Sequence, residues 1–229
     1  RVQAREPFSA KLVAKMLEVN PIIEKMITFD LHAPQIAGYF DRIRVENIPG
    51  HALFVPFIRG HYADHLSNTT VVSTDVGGSK RARDLAGKIG LNVAIIDKRR
   101  DRDGSEALAF VGDVKQHALI YDDIGDTLGS LINAYKMTMR EGAVTADAFV
   151  THGLNSPKEQ KDGSVILAED VLRDSGMTLY TSDSFPRAPE YYEKHPYIVQ
   201  IPSDGLITDI IKALIMVNGS IKNTVVTWT

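Results

Sequence analysis

The sequence predicts an α/β fold in which a mainly parallel, twisted sheet is flanked by helices. Short runs of apolar and β-branched residues recur along the chain, and segments with helical periodicity stand between them. Polar turns that contain glycine follow several of the apolar runs, and no internal repeat or low-complexity linker interrupts the alternation. Strands that alternate with helices imply right-handed crossover connections, which place the strands parallel to one another.

The composition limits the classes of function. The chain has 229 residues and a formal net charge of -3, so the charge gives no sign of a nucleic-acid partner. The absence of cysteine excludes disulfides, thiolate catalysis and cysteine zinc sites. Because no apolar run reaches membrane-spanning length and no signal peptide is evident, we expect a cytoplasmic protein without a membrane partner. The chain begins with Arg1 rather than Met, which we interpret as the start of a fragment.

The first segment combines a helix with an acidic strand end. Residues 7–19 have the period of an amphipathic helix, and residues 27–31 are predicted to form a strand that ends near Asp30 and His32. The two-residue spacing places both side chains on one face of an extended segment, where they could hold a metal ion or a nucleotide phosphate. On spacing alone, such a pair is more often a structural polar pair than a site.

Two later strand ends carry turns that could bind anions. Residues 69–75 are predicted to form a strand that is followed by Gly77 and Gly78, a turn that could wrap an anion but is common in proteins. Residues 92–96 are predicted to form another buried strand. The mixed-charge run at 97–104 that follows it is, on composition alone, typical of a solvated loop.

The stretch 119–130 carries the clearest functional signal. Its apolar run predicts a buried parallel strand, and the strand ends in Asp122 and Asp123. Ligands bind at such strand ends in open α/β sheets, where these carboxylates could accept hydrogen bonds from a polyol such as ribose. Two carboxylates before a glycine turn could also belong to an ordinary connection between a strand and a helix, with no role in binding.

The turn after these carboxylates is suited to bind a phosphate. Gly125 and Gly129 allow backbone amides to approach a ligand closely. The hydroxyls of Thr127 and Ser130, together with the N–H groups of the helix that follows, would form a cradle for the anion.

The remainder of the chain continues the alternation of strands and helices. The predicted strands are residues 144–153, 178–182 and 198–201, and residues 206–217 are predicted to form an amphipathic helix.

Four separated motifs closely resemble those of the ribose-phosphate diphosphokinases, also called phosphoribosyl-diphosphate synthetases, which have the phosphoribosyltransferase fold. The motifs are DLHAPQIAGYF at 30–40, DVGGSKR at 75–81, Lys98 with Arg100, and DTLGS at 126–130. They occur in the family's order, and Ala37 stands where the family usually has Gln. The resemblance implies the phosphoribosyltransferase-like version of the predicted α/β fold.

The resemblance also implies a reaction and a set of roles. The family transfers the β,γ-diphosphoryl group of ATP to the anomeric hydroxyl of ribose 5-phosphate with Mg²⁺, giving phosphoribosyl diphosphate and AMP. The residues implied to bind ribose 5-phosphate are Asp122, Asp123, Asp126, Thr127, Leu128, Gly129 and Ser130. Those implied to contact ATP or its diphosphate are His32, Asp75, Gly77, Gly78, Lys80 and Arg81.

Metal binding and catalysis are implied for a smaller set. Asp30, His32 and Asp75 would surround the metal. Lys98 and Arg100, with His32, would act in catalysis, because a mobile loop that carries Lys-x-Arg at this place folds over ATP in the family. Two cations delivered by a closing loop would stabilise the charge that develops on the transferred group and would exclude water.

Family members consist of two tandem phosphoribosyltransferase-like domains. The resemblance places residues 1–67 as a remnant of the N-terminal domain and residues 68–229 as the C-terminal domain. It implies a homo-oligomer, since the family forms dimers that assemble into hexamers. The family's adenine-binding Arg-Gln pair would lie upstream of residues 5–7 and is not in this sequence.

Two other functions remain open. A nucleotide-forming phosphoribosyltransferase shares the 122–130 pattern, but it does not need DLHAPQI or Lys98 with Arg100. A non-catalytic regulatory homologue typically carries an insertion in the mobile loop, and the interval 98–111 shows none. The run at 156–163 departs from the family, which has a shorter turn of small residues there, and the sequence after 218–219 diverges as well.

Overall fold

The computed structural model describes residues 9–100, 106–160, 162–216 and 219–229, and it describes no side chains for 98–100 or 106–108. It contains two compact units, Arg1–Pro49 and Gly50–Thr229. The division therefore falls earlier in the chain than the predicted domain boundary after residue 67. The helix His51–His61 accounts for the difference, because Phe54 on this helix packs against Tyr121 and Phe149 of the second unit's sheet, with ring centroids 5.9 and 5.5 Å apart.

The first unit contains a helix and two short parallel strands. Its elements are α1 (Ser9–Glu18), β1 (Lys25–Phe29), a 3₁₀ helix (Pro34–Tyr39) and β2 (Arg44–Ile48). The guanidinium of Arg42 donates hydrogen bonds to the backbone carbonyls of Glu18 and Ile23, at 3.1 and 2.6 Å. These bonds stabilise the chain reversal between α1 and β1.

The second unit is an α/β layer structure around a seven-stranded sheet. The sheet strands are β3 (Thr69–Ser73), β4 (Asn92–Arg100), β5 (Glu106–Val111), β6 (His117–Gly125), β7 (Thr145–Gly153), β10 (Leu179–Ser182) and β11 (Ile198–Ile201). A separate two-stranded hairpin consists of β8 (Lys158–Glu159) and β9 (Val165–Ile166). The helices are α2 (His51–His61), a 3₁₀ turn (Leu66–Asn68), α3 (Ser79–Ile89), α4 (Gly129–Arg140), α5 (Ala168–Ser175), α6 (Pro189–Lys194), α7 (Asp204–Ile215) and α8 (Ile221–Thr227).

The strand order of the large sheet is β11-β10-β7-β6-β3-β4-β5. Every neighbouring pair is parallel except β4 and β5, which are antiparallel. The predicted α/β fold with a mainly parallel sheet is therefore confirmed. Central strands of such a sheet are covered on both faces, which explains why their sequences are continuous apolar runs.

The core lies on both faces of β6 and β7. On one face, Phe149 stacks on Tyr180 with ring centroids 4.6 Å apart. On the other, Ile120 and Val150 belong to a buried cluster that includes Leu131 of α4. Burial of these side chains on both faces holds β6 in the centre of the sheet. The position from which its following loop starts is therefore fixed as well.

One predicted loop begins later than expected. The mixed-charge run was expected to leave the sheet at residue 97, but β4 continues to Arg100 and pairs with β5, with Lys98 opposite Leu108 and Arg100 opposite Glu106. Strand pairing supplies partners for backbone groups whatever the side-chain charge, so a charged run is compatible with an edge hairpin. The predicted run at 101–105 lies outside the described residues.

No helix in the described part of the chain is both long enough and apolar enough to cross a membrane.

Candidate functional site

The candidate site lies where successive connections leave two neighbouring strands toward opposite edges of the sheet. The chain crosses from β3 to β4 on one side and from β6 to β7 on the other, while β3 and β6 are direct neighbours. The carboxyl ends of β3 and β6 therefore flank a topological switch point, which is where open α/β sheets bind ligands. Two of the four predicted motifs follow these two strand ends.

The loop after β3 is shaped by its own aspartate. The Oδ1 atom of Asp75 accepts a hydrogen bond from the Gly78 N–H at 2.7 Å, and the Ser73 hydroxyl donates to the Asp75 carbonyl at 2.8 Å. A Cβ atom on Gly77 would lie 3.2 Å from Asp75 Oδ1, and one on Gly78 would lie 3.0 Å from Ser73 Oγ. A side chain at either position would therefore make a tight contact with the closed loop, which favours glycine at both.

An ion pair joins the predicted diphosphate loop to the predicted ribose site. Nη2 of Arg81, on α3, lies 3.0 Å from Oδ2 of Asp123, and its Nη1 lies 3.9 Å from Oδ1 of Asp122. Only 4% of the Asp123 side chain is exposed, against 18% for Asp122. Neighbouring Lys80 is exposed. Arg81 is thus directed into the acidic pair, whereas Lys80 faces solvent.

Asp122 has an unusual electrostatic environment. Its pKa is raised from 3.8 to about 6. Burial is the largest cause, and the adjacent Asp123 carboxylate contributes to the same shift. The hydroxyl of Thr74 opposes this shift because it donates a 2.5 Å hydrogen bond to Asp122 Oδ2. A carboxylate that is costly to ionise would gain from the hydroxyl donors of a polyol.

The loop after β6 forms a tight entry into α4. A Cβ atom on Gly125 would lie 3.0 Å from Leu128 Cδ2 and 3.3 Å from a methyl group of Val150, so this position needs glycine. Leu128 itself is the N-cap residue of α4 and adopts a left-handed conformation with φ 60° and ψ 4°. It buries its side chain in the core, with 2% exposed. This left-handed residue stands between the end of β6 at Gly125 and the start of α4 at Gly129.

The first turn of α4 has the features of an anion site. The first N–H groups of a helix lack intrahelical partners and carry the positive end of the helix dipole. Gly129 and Ser130 occupy this turn, Thr127 is half-buried beside it, and Asp126 is exposed. The structure therefore brings all the predicted residues of 126–130 into one strand-to-helix turn.

The acidic strand end in the first unit differs from the prediction. The strand ends at Phe29, and Asp30 adopts a left-handed conformation with φ 49° while its N–H donates to the Ile48 carbonyl at 2.7 Å. Asp30 is 5% exposed, whereas His32 is exposed. The predicted extended backbone through Asp30 is therefore wrong, while the role of Asp30 and His32 in a shared site stays a prediction.

The remaining predicted residues are only partly described. The backbones of Lys98 and Arg100 lie on β4, but their side chains lie outside the described part of the structure. Across the described ranges, no three His, Asp or Glu side chains are grouped so as to hold a metal ion. The metal set Asp30, His32 and Asp75 and the two catalytic cations therefore stay predictions.

Comparison with known proteins identifies relatives of the chain. No model of a known protein family matches it. A ribose-phosphate pyrophosphokinase of Cereibacter sphaeroides is 40% identical over 178 residues, which are 76% of this chain and 52% of the relative. One of Bradyrhizobium diazoefficiens is 38% identical over 211 residues, 91% of this chain and 62% of the relative. The chain is a homologue of the ribose-phosphate pyrophosphokinases.

A solved structure supports the relationship to the ribose-phosphate pyrophosphokinases. The crystal structure of phosphoribosylpyrophosphate synthetase from Mycobacterium smegmatis matches with a TM-score of 0.77 and 28% identity, over 92% of this chain and 65% of that one. The similarity confirms the expected phosphoribosyltransferase-like α/β fold. The chain spans between half and two thirds of the length of these two curated pyrophosphokinases, since it covers 52% of one and 62% of the other.

Sequence reasoning missed three polar residues beside the site of this pyrophosphokinase homologue. Thr74 contacts Asp122, and a polar residue just past a buried strand was a signal that could have identified it. Asn155 has φ 49° and is 5% exposed, and Arg187 donates to a backbone carbonyl of the loop that contains Asn155. No local pattern connects Arg187 to that loop, because the two are joined only by the fold.

Proposed function

We propose that this chain supplies the sugar-phosphate site of a ribose-phosphate diphosphokinase. The reaction would transfer the β,γ-diphosphoryl group of ATP to the anomeric hydroxyl of ribose 5-phosphate, giving phosphoribosyl diphosphate and AMP. The observation that carries the proposal is the adjacency of the acidic end of β6 and the first turn of α4 at the switch point of the sheet. The homology to ribose-phosphate pyrophosphokinases supports it independently.

The turn 126–130 would bind the 5-phosphate. Amides of the first turn of α4 and the hydroxyls of Thr127 and Ser130 are the groups that could donate hydrogen bonds to its oxygens. Only helix N–H groups and hydroxyls are needed, because the helix dipole already favours the anion.

The two carboxylates of the acidic pair, Asp122 and Asp123, would have different roles. Asp122 is the more exposed of the two and would accept hydrogen bonds from the ribose hydroxyls. Asp123 is almost fully buried in its ion pair, so we assign it the role of orienting Arg81 toward the diphosphate. This refines the sequence prediction, in which both carboxylates bind ribose directly.

The transfer step needs positioned charges rather than a covalent intermediate. The anomeric oxygen would form a bond to the β-phosphorus, the bond between that phosphorus and the bridging oxygen of AMP would break, and the hydroxyl proton would pass to solvent. Lys98 and Arg100 would stabilise the charge on the transferred group.

Mg²⁺ is the metal that this reaction implies. It is commonly held by one or two carboxylates together with nucleotide phosphates, and when bound it would neutralise phosphate charge. The donor set agrees with this chemistry, because Asp75 places a carboxylate at the end of β3 with one oxygen engaged by the loop amide of Gly78. Asp30 and His32, the other ligands that the resemblance implies, belong to the first compact unit and stay predictions.

The test is formation of AMP from ATP and Mg²⁺ with and without ribose 5-phosphate. The protein would be a chimera in which the N-terminal part of the Cereibacter sphaeroides relative precedes this chain. We expect AMP only with ribose 5-phosphate, and a fall in kcat of about 100-fold or more in Lys98→Ala and Arg100→Ala. Lys158→Ala, on the exposed hairpin strand β8, is the control and should keep full activity.

Two outcomes would contradict the proposal. A folded chimera that binds ribose 5-phosphate but forms no AMP would indicate the regulatory homologue. Release of diphosphate that depends on an added nucleobase would indicate a nucleotide-forming phosphoribosyltransferase. The homo-oligomer and the cytoplasmic location expected from the sequence stay predictions.

A further inference from the structure

The backbone at Gly125 and Asp126, where the phosphate turn begins, is held by hydrogen bonds from the loop after β7. The N–H groups of Leu154 and Asn155 both donate to the carbonyl of Gly125, at 2.9 and 3.0 Å, and the N–H of Ser156 donates to the carbonyl of Asp126 at 2.9 Å. Two consecutive carbonyls of the β6–α4 loop are therefore fixed by three consecutive amides of the loop after β7. Movement of residues 154–156 would move the phosphate turn with them.

Arg187 in turn holds the loop after β7. Its Nη2 donates a 2.5 Å hydrogen bond to the carbonyl of Leu154. Its guanidinium carbon lies 4.8 Å from the ring centroid of Phe185 and 5.5 Å from that of Tyr191. A charged donor and two aromatic contacts fix this side chain more firmly than a single hydrogen bond would.

Asn155 is fixed by a second set of contacts. It adopts φ 49°, a conformation that Asn tolerates better than most residues, and its side-chain nitrogen donates to the Tyr191 hydroxyl at 3.2 Å. That hydroxyl donates to Oε1 of Glu169, on α5, at 2.6 Å. Burial and the Glu169 carboxylate both raise the pKa of Tyr191, which keeps the hydroxyl protonated as a donor.

We propose that Arg187 is a positioning residue for sugar-phosphate binding. By fixing the Leu154 carbonyl it sets the three amides that hold Gly125 and Asp126, and so it sets the geometry of the 126–130 turn. Tyr191 supports the same loop through Asn155. This inference rests on the proposed function of that turn as the site of the 5-phosphate.

The effect of Arg187 can be separated from general stability. Arg187 lines an open groove of about 330 Å³ with Leu154, Asn155 and Pro157, so replacing it does not open a cavity in the core. Arg173, on α5, is the matched control, because its contacts are ion pairs with Asp170 and Asp174 on an exposed helix face.

The experiment measures the Kd of ribose 5-phosphate for the 229-residue chain by calorimetry, together with the melting temperature. We expect Arg187→Gln to bind about tenfold more weakly, which corresponds to loss of one charge-assisted hydrogen bond. Arg187→Lys keeps a charged donor and should recover part of the affinity. Arg173→Gln should bind as the parent chain does.

The outcomes separate this inference from the proposed function. If the parent chain binds and Arg187→Gln binds equally well, the positioning role is wrong and the phosphate site stands. If the folded parent chain binds no ribose 5-phosphate, both are wrong. If Arg187→Gln does not fold, Tyr191→Phe replaces it as the test. Weaker binding by this variant at an unchanged melting temperature supports the inference, and unchanged binding overturns it.

Discussion

The loops that follow β3 and β6 lie side by side at the same strand ends, yet they are held in different ways. The β3–α3 loop is closed by its own residues, since Asp75 accepts from the Gly78 amide and Ser73 donates back to Asp75. The β6–α4 loop is held by three amides of the loop after β7 and by the buried side chain of Leu128. The backbone of the β3–α3 loop is thus fixed by contacts within the loop, although the Thr74 side chain also bonds Asp122 of β6, whereas the backbone of the β6–α4 loop is fixed from elsewhere in the fold.

The helix entries show the same contrast. The N-cap of α3 is Gly78 with φ -76° and ψ -7°, a conformation open to any residue. The N-cap of α4 is Leu128 in the left-handed region, which costs about 1–2 kcal/mol for a residue with a Cβ atom. Strain of this kind persists only where surrounding packing enforces it, and such positions are common at functional sites. Of the two loops, the β6–α4 loop therefore has the more strained helix entry, as is common at functional sites.

The largest effect is expected at Leu128. Replacing this buried side chain with Ala removes core contacts without relieving the left-handed backbone, so Leu128→Ala should lower the free energy of unfolding by about 3 kcal/mol. Chemical denaturation of the chain measures this loss. Leu167→Ala is the control, because Leu167 is 47% exposed and should cost less than about 0.5 kcal/mol.

A second variant at Leu128 isolates the backbone strain. Glycine adopts the left-handed conformation freely, so Leu128→Gly should be more stable than Leu128→Ala by about 0.5–1 kcal/mol, the reverse of the usual order. If the Ala variant is the more stable of the two, Leu128 is not strained.

The next effect is expected at Gly125. A Cβ atom there would lie within 3.3 Å of both Leu128 and Val150, so Gly125→Ala should cost about 1–3 kcal/mol through overpacking. Gly129→Ala is the matched control in the same turn, because its Cβ atom would meet nothing closer than 3.9 Å. Equal denaturation midpoints for the two variants would show that the turn is not packed as described.

A smaller effect is expected in the β3–α3 loop. Asp75→Ala removes the acceptor for the Gly78 amide and should cost about 1 kcal/mol, since the carboxylate acts much as a helix cap. Asp75→Asn retains an acceptor oxygen and should cost less. Denaturation midpoints of the two variants check this order, and a loss-free Asp75→Ala would show that the loop is not closed by its aspartate.

A separate effect is expected from Asp122, and it depends on pH. Its folded pKa is raised from 3.8 to about 6, so the folded state holds the proton more tightly than the unfolded chain. The resulting stability is complete below about pH 4 and is lost as the pH rises to about 6. Relative to Asp122→Asn, the parent chain should lose about 2 kcal/mol of unfolding free energy between pH 4 and pH 6, measured by urea unfolding at both ends. A constant difference between the two proteins would contradict the raised pKa.

The sequence was sufficient for the fold and for the local parts of the site. Continuous apolar runs such as 119–121 mark strands that are buried on both faces, and the helix periods between them require a parallel sheet. Asp75 and Gly78 belong to a loop whose contacts are a few residues apart. Their placement after a strand was therefore predictable from neighbouring residues alone.

The parts that failed depend on backbone conformation or on distant contacts. Asp30 was expected to continue an extended strand, but its backbone is left-handed, with φ 49°. The ion pair of Arg81 with Asp123 was not predicted, because it joins α3 to β6 across 42 residues of sequence. Arg187 carried no local signal, because its partner is a backbone carbonyl that any sequence would offer.

Calorimetry with ribose 5-phosphate and with ribose distinguishes whether the first turn of α4 binds the 5-phosphate. We expect the chain to prefer the phosphorylated sugar by about 100-fold, and Ser130→Asp to lose this preference because its carboxylate repels the phosphate. Ser79→Asp, at the equivalent turn of α3, should keep it. Equal affinity for both sugars, or a preference that survives Ser130→Asp, would show that the first turn of α4 does not bind the 5-phosphate.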